Sequence, residues 1–186
     1  MADVLVPEME RLREQGKIRF LGATEHFGAD TSHRMLQRAL PANLFDVIMV
    51  GFNLLNPSAR RSVFPLTEQH EVGTLIMFAV RRALSRPDAL RELVGELIAR
   101  GEIDPGCVER DDPLGFVVAQ PEVTSAVDAA YRFCRHEPGA HVILTGTGNP
   151  DHLRENVASI LRPPLHDALA VRLREIFGSV DSVSAN

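Results

Sequence analysis

The sequence has no tryptophan, one tyrosine (Tyr131), one lysine (Lys17) and two cysteines, Cys107 and Cys134. Two cysteines build neither a disulfide framework nor a metal-ligand spacing. The seven histidines are scattered; His26 and His70 have no ligand-spaced partner and read as loop or surface residues. No apolar run comes near the roughly 20 residues that cross a bilayer, and the N-terminus lacks a secretory-signal pattern. There is no basic run either, and the formal net charge is −5, which speaks against nucleic acid as a partner. These absences predict a protein with no membrane and no nucleic-acid partner, cytoplasmic by default.

What the chain does have is apolar content and rhythm. Of its 186 residues, 45% are hydrophobic, enough for a single region, 1–186, with a sizeable core. Helical spacing recurs at 3–15, 30–40, 56–71, 87–100, 122–135 and 163–177, with Pro65 expected to split the third of these. Between them lie apolar runs, Ile18 to Ala23, Phe45 to Phe52, Thr74 to Val80 and His141 to Leu144. These are near-continuous rather than alternating, as in strands buried on both faces. Residues 101–121 are rich in Asp, Pro and Gly and read as loop, with Asp111-Asp112-Pro113 as a turn. Cys134 sits on an apolar helical face and reads as a packed thiol. The polar tail after about residue 178 is expected to be flexible.

One stretch organises the rest, Leu144 to Asn156. An apolar run leads into Gly146-Thr147-Gly148, and a helix start follows. Asn149 is placed to cap, Pro150 suits the first helical position, and Asp151 suits the first turn. Leu153, Val157, Ile160 and Leu161 fall on one face of that helix. A strand, a glycine turn and a capped helix present backbone N–H groups to an anion, most often a phosphate. The plainer alternative is a tight turn that holds nothing.

Four strand–helix units in succession mean a parallel sheet. An open doubly wound sheet and part of an eight-stranded barrel both fit that pattern. No GxGxxG follows the first strand, which weakens the open dinucleotide-binding sheet. A complete barrel takes about 250 residues, and this chain has strands for half of one.

Three segments then carry a family resemblance. Gly16-Lys17-Ile18-Arg19-Phe20-Leu21-Gly22-Ala23-Thr24 resembles the GKIRxxGxS segment of aldo-keto reductases. Phe45 to Asn56 resembles that family's sixth strand, and Gly146 to Asn156 its last strand-to-helix turn. The matches fall in order, at the right spacing, over nearly the whole chain. The resemblance implies the C-terminal half of a TIM (β/α)8 barrel, from the fourth helix onward, binding NADP or NAD. It favours phosphate binding at the glycine turn.

The same resemblance exposes a gap. The family works through an Asp, a Tyr, a Lys and a His from the first four strands of the barrel, the Tyr donating a proton to the carbonyl. Here Tyr131 lies mid-helix and Lys17 precedes the first strand, so neither matches, and no catalytic residue is assigned. Cofactor positions carry over one by one. Thr24 stands where the family's Ser meets the nicotinamide carboxamide. Glu25 replaces the usual Asn, and Met49 the usual Gln. Phe78 falls where an aromatic residue stacks on the nicotinamide. Ala79, Val80 and Arg81 follow that strand at the pyrophosphate loop, with Arg81 or Arg82 available to pair. Gly146, Thr147 and Gly148 occupy the adenosine-phosphate turn, where NADP-dependent members often carry cations. His152 stands at the position of an Arg that binds the 2′-phosphate, and Glu155 and Asn156 match the adenine-binding pair.

Two functional expectations follow. One is an NAD(P)-dependent oxidoreductase of carbonyl or alcohol substrates, represented by its cofactor-binding half. The other is a catalytically silent binding or interaction module, or the product of a truncated gene. Four strands of an edgeless barrel leave two apolar edges, so self-association is expected as well.

Overall fold

The computed structural model of the chain describes residues 2–186. Four strands make one parallel sheet, in chain order: β1 (Gly22–Thr24), β2 (Val47–Gly51), β3 (Gly73–Met77) and β4 (Val142–Ile143). Helix α1 (Ala2–Glu14) precedes β1, and α2 (Arg34–Ala39) links β1 to β2. Between β2 and β3 run α3 (Ala59–Ser62) and α4 (Phe64–Gln69). They are separate because Val63 leaves helical geometry (φ −123°, ψ −52°) just before Pro65, the split that proline predicts. The β3–β4 connection carries α5 (Arg82–Ser85), α6 (Pro87–Ala99), α7 (Gly115–Val118) and α8 (Ala126–Arg135). After β4 come α9 (Pro150–Ile160) and α10 (Asp167–Phe177). The loop expected over 101–121 thus holds one helical turn, α7.

Register divides the sheet into two unlike faces. Ala23 pairs with Ile48, Ile48 with Thr74, and Val50 with Ile76, and paired residues share a face. Ile48, Val50, Thr74 and Ile76 are all buried, under the helices. The alternate set is Thr24, Met49, Leu75 and Val142, in register across all four strands. None of these four is buried, and Val142 is 47% exposed. The apolar runs therefore do not mark strands buried on both faces. They are apolar on both faces, but the inner wall that a barrel would place opposite is not in this chain.

Two further expectations need correction. The stripe on α9 reaches the core only through Ile160: Leu153, Val157 and Leu161 are exposed, Leu161 at 79%. The helix packs on α8, and its Asn156 and Ser159 are buried. The tail beyond Gly178 is not loose. Val180, Val183 and Ala185 are buried, the Ala83 N–H donates to the Ala185 carbonyl, and Asn56 Nδ2 donates to the Val183 carbonyl at 2.7 Å. Few apolar side chains suffice there because main-chain carbonyls supply the rest.

Candidate functional site

The carboxyl ends of β3 and β4 open onto a cavity of about 820 Å³, lined by Val80, Tyr131, Gly146, Thr147, His152, Glu155 and Asn156, among others. That volume lies within the range of small-molecule sites. It gathers six of the residues assigned to the cofactor from sequence: Val80, Gly146, Thr147, His152, Glu155 and Asn156. Asn149 caps α9 as expected, its Oδ1 accepting from the Asp151 N–H at 2.9 Å. The Asn149 N–H in turn donates to Thr147 Oγ1 at 3.1 Å. A Cβ added at Gly146 or Gly148 would meet nothing within 4 Å. The space above both glycines is open, as a turn that receives a ligand requires.

Sequence reasoning missed the far wall of this cavity, which α8 supplies. Ser125 caps α8, its Oγ accepting from the Asp128 N–H at 3.0 Å. Thr124, Ser125, Val127, Ser159 and Arg162 line the cavity with it. Arg162 is fixed there by Asp128 Oδ2 at 3.0 Å and the Glu122 carbonyl at 2.6 Å. The same Asp128 oxygen takes Arg132 at 3.3 Å, and Arg132 also reaches the carbonyls of Glu122, Pro163 and Pro164. Asp128 and Arg132 are both buried. Tyr131, read from sequence as a packed helical residue, shares this wall, and burial pushes its phenol pKa up. The neighbouring Cys134 is wholly buried and its thiol is likewise pushed up by burial. That is the inert, packed cysteine the sequence predicts.

The residues assigned to the nicotinamide end are not gathered in the same way. Thr24 and Met49 lie on the open sheet face. Glu25 points into the core instead. Its carboxylate meets His33 Nδ1 at 2.9 and 3.0 Å and accepts from the Gly51 N–H at 2.6 Å. His33 Nε2 meets Ser58 Oγ at 3.0 Å, and Glu25, His33 and Ser58 are all buried. No Cβ fits at Gly51, since Phe27 ring atoms stand 2.2 Å from where it would be. A Ser–His–carboxylate row is the arrangement of a hydrolase triad, but here the serine is buried and its hydroxyl donates to Asn56 Oδ1 at 2.6 Å.

Phe78 has φ 66° and is 36% exposed. Its ring stacks on Phe27 at 6.2 Å, and the Arg81 guanidinium lies over it at 4.2 Å. Phe27 stacks in turn on His33 at 5.3 Å. Arg81 is partly desolvated there, which lowers its pKa. Ala79 is buried at the start of the same loop. Of the remaining polar candidates, Asp111 and Asp112 are exposed at a turn, the Gly115 N–H donating to the Asp112 carbonyl.

No protein-family model matches the sequence, and no curated protein does. Solved structures do. The chain is similar to the apo form of aldo-keto reductase AKR11C1 from Bacillus halodurans, with a TM-score of 0.67 and 18% identity. It is similar to the holo form of that protein at 0.66 and 19%. Each likeness covers 97% of this chain, but only 58% and 57% of the reductase. The chain therefore spans less than three-fifths of the length of the structures it resembles. The chain is a parallel α/β unit with the fold of part of an aldo-keto reductase barrel.

Proposed function

We propose that this chain is the cofactor-binding half of an aldo-keto-reductase-like oxidoreductase, working in the cytoplasm and taking NADP or NAD. The observation that carries this reading is the cavity at the carboxyl ends of β3 and β4, where ligands of parallel barrels bind. It brings the glycine turn, His152, Glu155 and Asn156 to one wall. The adenosine end of a dinucleotide fits there: open space over two glycines, polar side chains around it, and a guanidinium at Arg162. The nicotinamide end fits poorly. Glu25 is spent on His33 and Gly51, Met49 has no hydrogen-bonding atom of amide strength, and Phe78 is already covered by Arg81.

A bound nicotinamide dinucleotide supplies hydride chemistry at a carbonyl carbon. In a complete barrel the substrate is then a small carbonyl compound or alcohol. In this chain the lone tyrosine is tied to Thr145, and the lone lysine precedes β1. Neither is available as a proton donor beside a nicotinamide, so the isolated chain binds and does not turn over. That favours the silent-module reading for the chain by itself.

Titrating NADH and NADPH against the chain, followed by their own fluorescence, tests both statements. The expected result is binding with less than a tenfold preference between them, because Gly146, Gly148 and His152 stand where cations hold a 2′-phosphate. A tenfold preference for NADPH, about 1.4 kcal/mol, would place the 2′-phosphate against other residues. Carbonyl-dependent oxidation of either cofactor above a heat-killed control would refute the silent reading.

Self-association is the second partner expectation. The accessible surface is 10198 Å², whereas a compact monomer of this mass exposes about 8,800 Å². The excess, about 1,400 Å², approaches the roughly 1,600 Å² that an ordinary protein interface buries in total. Apolar side chains stand exposed on the open face and along α9, Val142, Leu153, Val157 and Leu161 among them. Sedimentation at micromolar concentration should show species larger than the monomer. One monomeric species with a sharp thermal transition would mean that the half-barrel is self-sufficient.

A further inference from the structure

A second cavity lies away from the glycine turn, at the amino ends of β1 and β2. It is a cleft of about 430 Å³ beside α1. Leu5, Val6 and Met9 of α1 form one wall. Leu21, Leu44 and Phe45, which lead into the two strands, belong to the other. Leu5 is 48% exposed although it lies on this apolar wall. Helix α1 is moored at its far end, where Arg13 Nη2 donates to Asp46 Oδ2 at 2.5 Å. Left empty, such a cleft forfeits dispersion contacts on both walls, and water finds no hydrogen bonds along them.

Among the described residues that line the cleft, Arg38 of α2 alone is charged. It is exposed, and among the described residues its guanidinium has neither an ion pair nor a hydrogen bond. The acids on the flanking segments are committed elsewhere. Asp30 pairs with Arg34 at 3.4 Å and accepts from the Met35 N–H at 2.8 Å. Asp46 takes Arg13 and also accepts from the Leu21 N–H at 2.7 Å. The counter-charge for Arg38 therefore has to come from outside the chain. We propose that the cleft binds a medium-chain fatty carboxylate, its alkyl chain along α1 and its carboxylate paired with Arg38. Such a ligand brings both things that the cleft lacks, apolar contacts for the walls and an anion for the guanidinium. The cleft shares no lining residue with the cavity over the glycine turn, so the proposal stands independently of the dinucleotide reading.

Calorimetric titration with hexanoate, octanoate and decanoate tests it. Affinity should rise by about fourfold for each methylene that enters the cleft. Arg38→Ala should weaken octanoate at least about threefold and leave octanol, which carries no charge, within about twofold. Ala42→Trp fills the cleft from an exposed position on its rim. It should weaken octanoate and octanol alike by at least about tenfold, with a retained thermal transition showing that the chain still folds. Saturating NADH should leave octanoate affinity unchanged. Failure of octanoate to bind overturns the proposal, and so does an affinity that ignores chain length or survives Ala42→Trp. Equal loss of octanoate and octanol in Arg38→Ala, or no loss of either, overturns the role of the guanidinium and with it the choice of a carboxylate. Competition by NADH would put the carboxylate in the other cavity, and an affinity that falls as the chain associates would make the cleft an interface between copies. Either result overturns the proposal and leaves the dinucleotide reading standing.

Discussion

Glu25→Ala should destabilise the chain by about 3–5 kcal/mol, because it leaves two buried partners without their acceptor, at about 1–3 kcal/mol each, and opens a cavity besides. Both carboxylate oxygens are enclosed and both are used. One side of the loss is the His33 imidazole, which keeps Ser58 but loses its carboxylate at 2.9 Å. The other is the Gly51 N–H, which loses its acceptor at 2.6 Å. Neither can turn to water, because Glu25, His33 and Ser58 are all buried and Phe27 packs against Gly51. At roughly 2–4 °C per kcal/mol for a chain of this size, thermal unfolding should come about 10 °C earlier or lose its cooperativity. Glu25→Gln should cost less, because an amide oxygen still serves Gly51 and the histidine can exchange which nitrogen carries its proton. A change below about 1 kcal/mol in Glu25→Ala, read from chemical denaturation, would show that this network contributes little.

A loss of similar size, about 3–5 kcal/mol, is expected for Asp128→Ala. Among the described residues Asp128 is the one carboxylate that two arginines share, Arg132 at 3.3 Å and Arg162 at 3.0 Å, and it accepts from the Thr124 N–H as well. Removing it leaves the Arg132 guanidinium buried with main-chain carbonyls alone. Those carbonyls belong to Glu122, Pro163 and Pro164, so the knot joins the approach to α8 with the α9–α10 connection. Arg162 would also be released from the cavity wall. Two measurements separate these effects. Denaturation reports the buried charge, and ADP affinity reports the freed Arg162. Loss of stability with unchanged affinity would assign the knot to the fold alone. The surface pair Arg154–Asp151, both groups more than three-quarters exposed, offers the contrast, since exposed pairs of this kind are worth ~1 kcal/mol at most.

Neither of these clusters was legible in the sequence, and the reason is distance along the chain. Glu25 meets a histidine eight positions on and a glycine 26 positions on. Arg162 meets Asp128 across 34 positions. Local patterning carries no trace of such pairs. What was legible is local. Pro65 split its helix, Asn149 capped α9, and the apolar runs held the four strands in their order. Partly legible were the candidate site residues: the glycine turn lies seven to ten residues before Glu155 and Asn156 on one strand–turn–helix unit, so they arrive together. Thr24, Glu25, Met49 and Phe78 come from three strands, and their side chains depend on what packs around each. The α9 stripe misled for a related reason. Amphipathic spacing says that a face is apolar and does not say that anything covers it.

The arginine lying over Phe78 has a consequence for any ligand that would stack on that ring. Arg81 is three residues along the same chain, so its guanidinium competes for that ring as a tethered rival, at an effective concentration in the millimolar range. A free ring in solution at micromolar concentration competes against those odds. The cation over the ring is worth about 0.5–1 kcal/mol at a partly exposed site, and a stacking ligand must first give that back. Occupancy of the cavity over the glycine turn is thereby uncoupled from stacking on Phe78. A ligand that fills only that cavity leaves Arg81 where it is, whereas one that also stacks on the ring has to evict it. The chain therefore favours ligands that stop short of that ring over ones that reach it, relative to a site in which the ring stands bare.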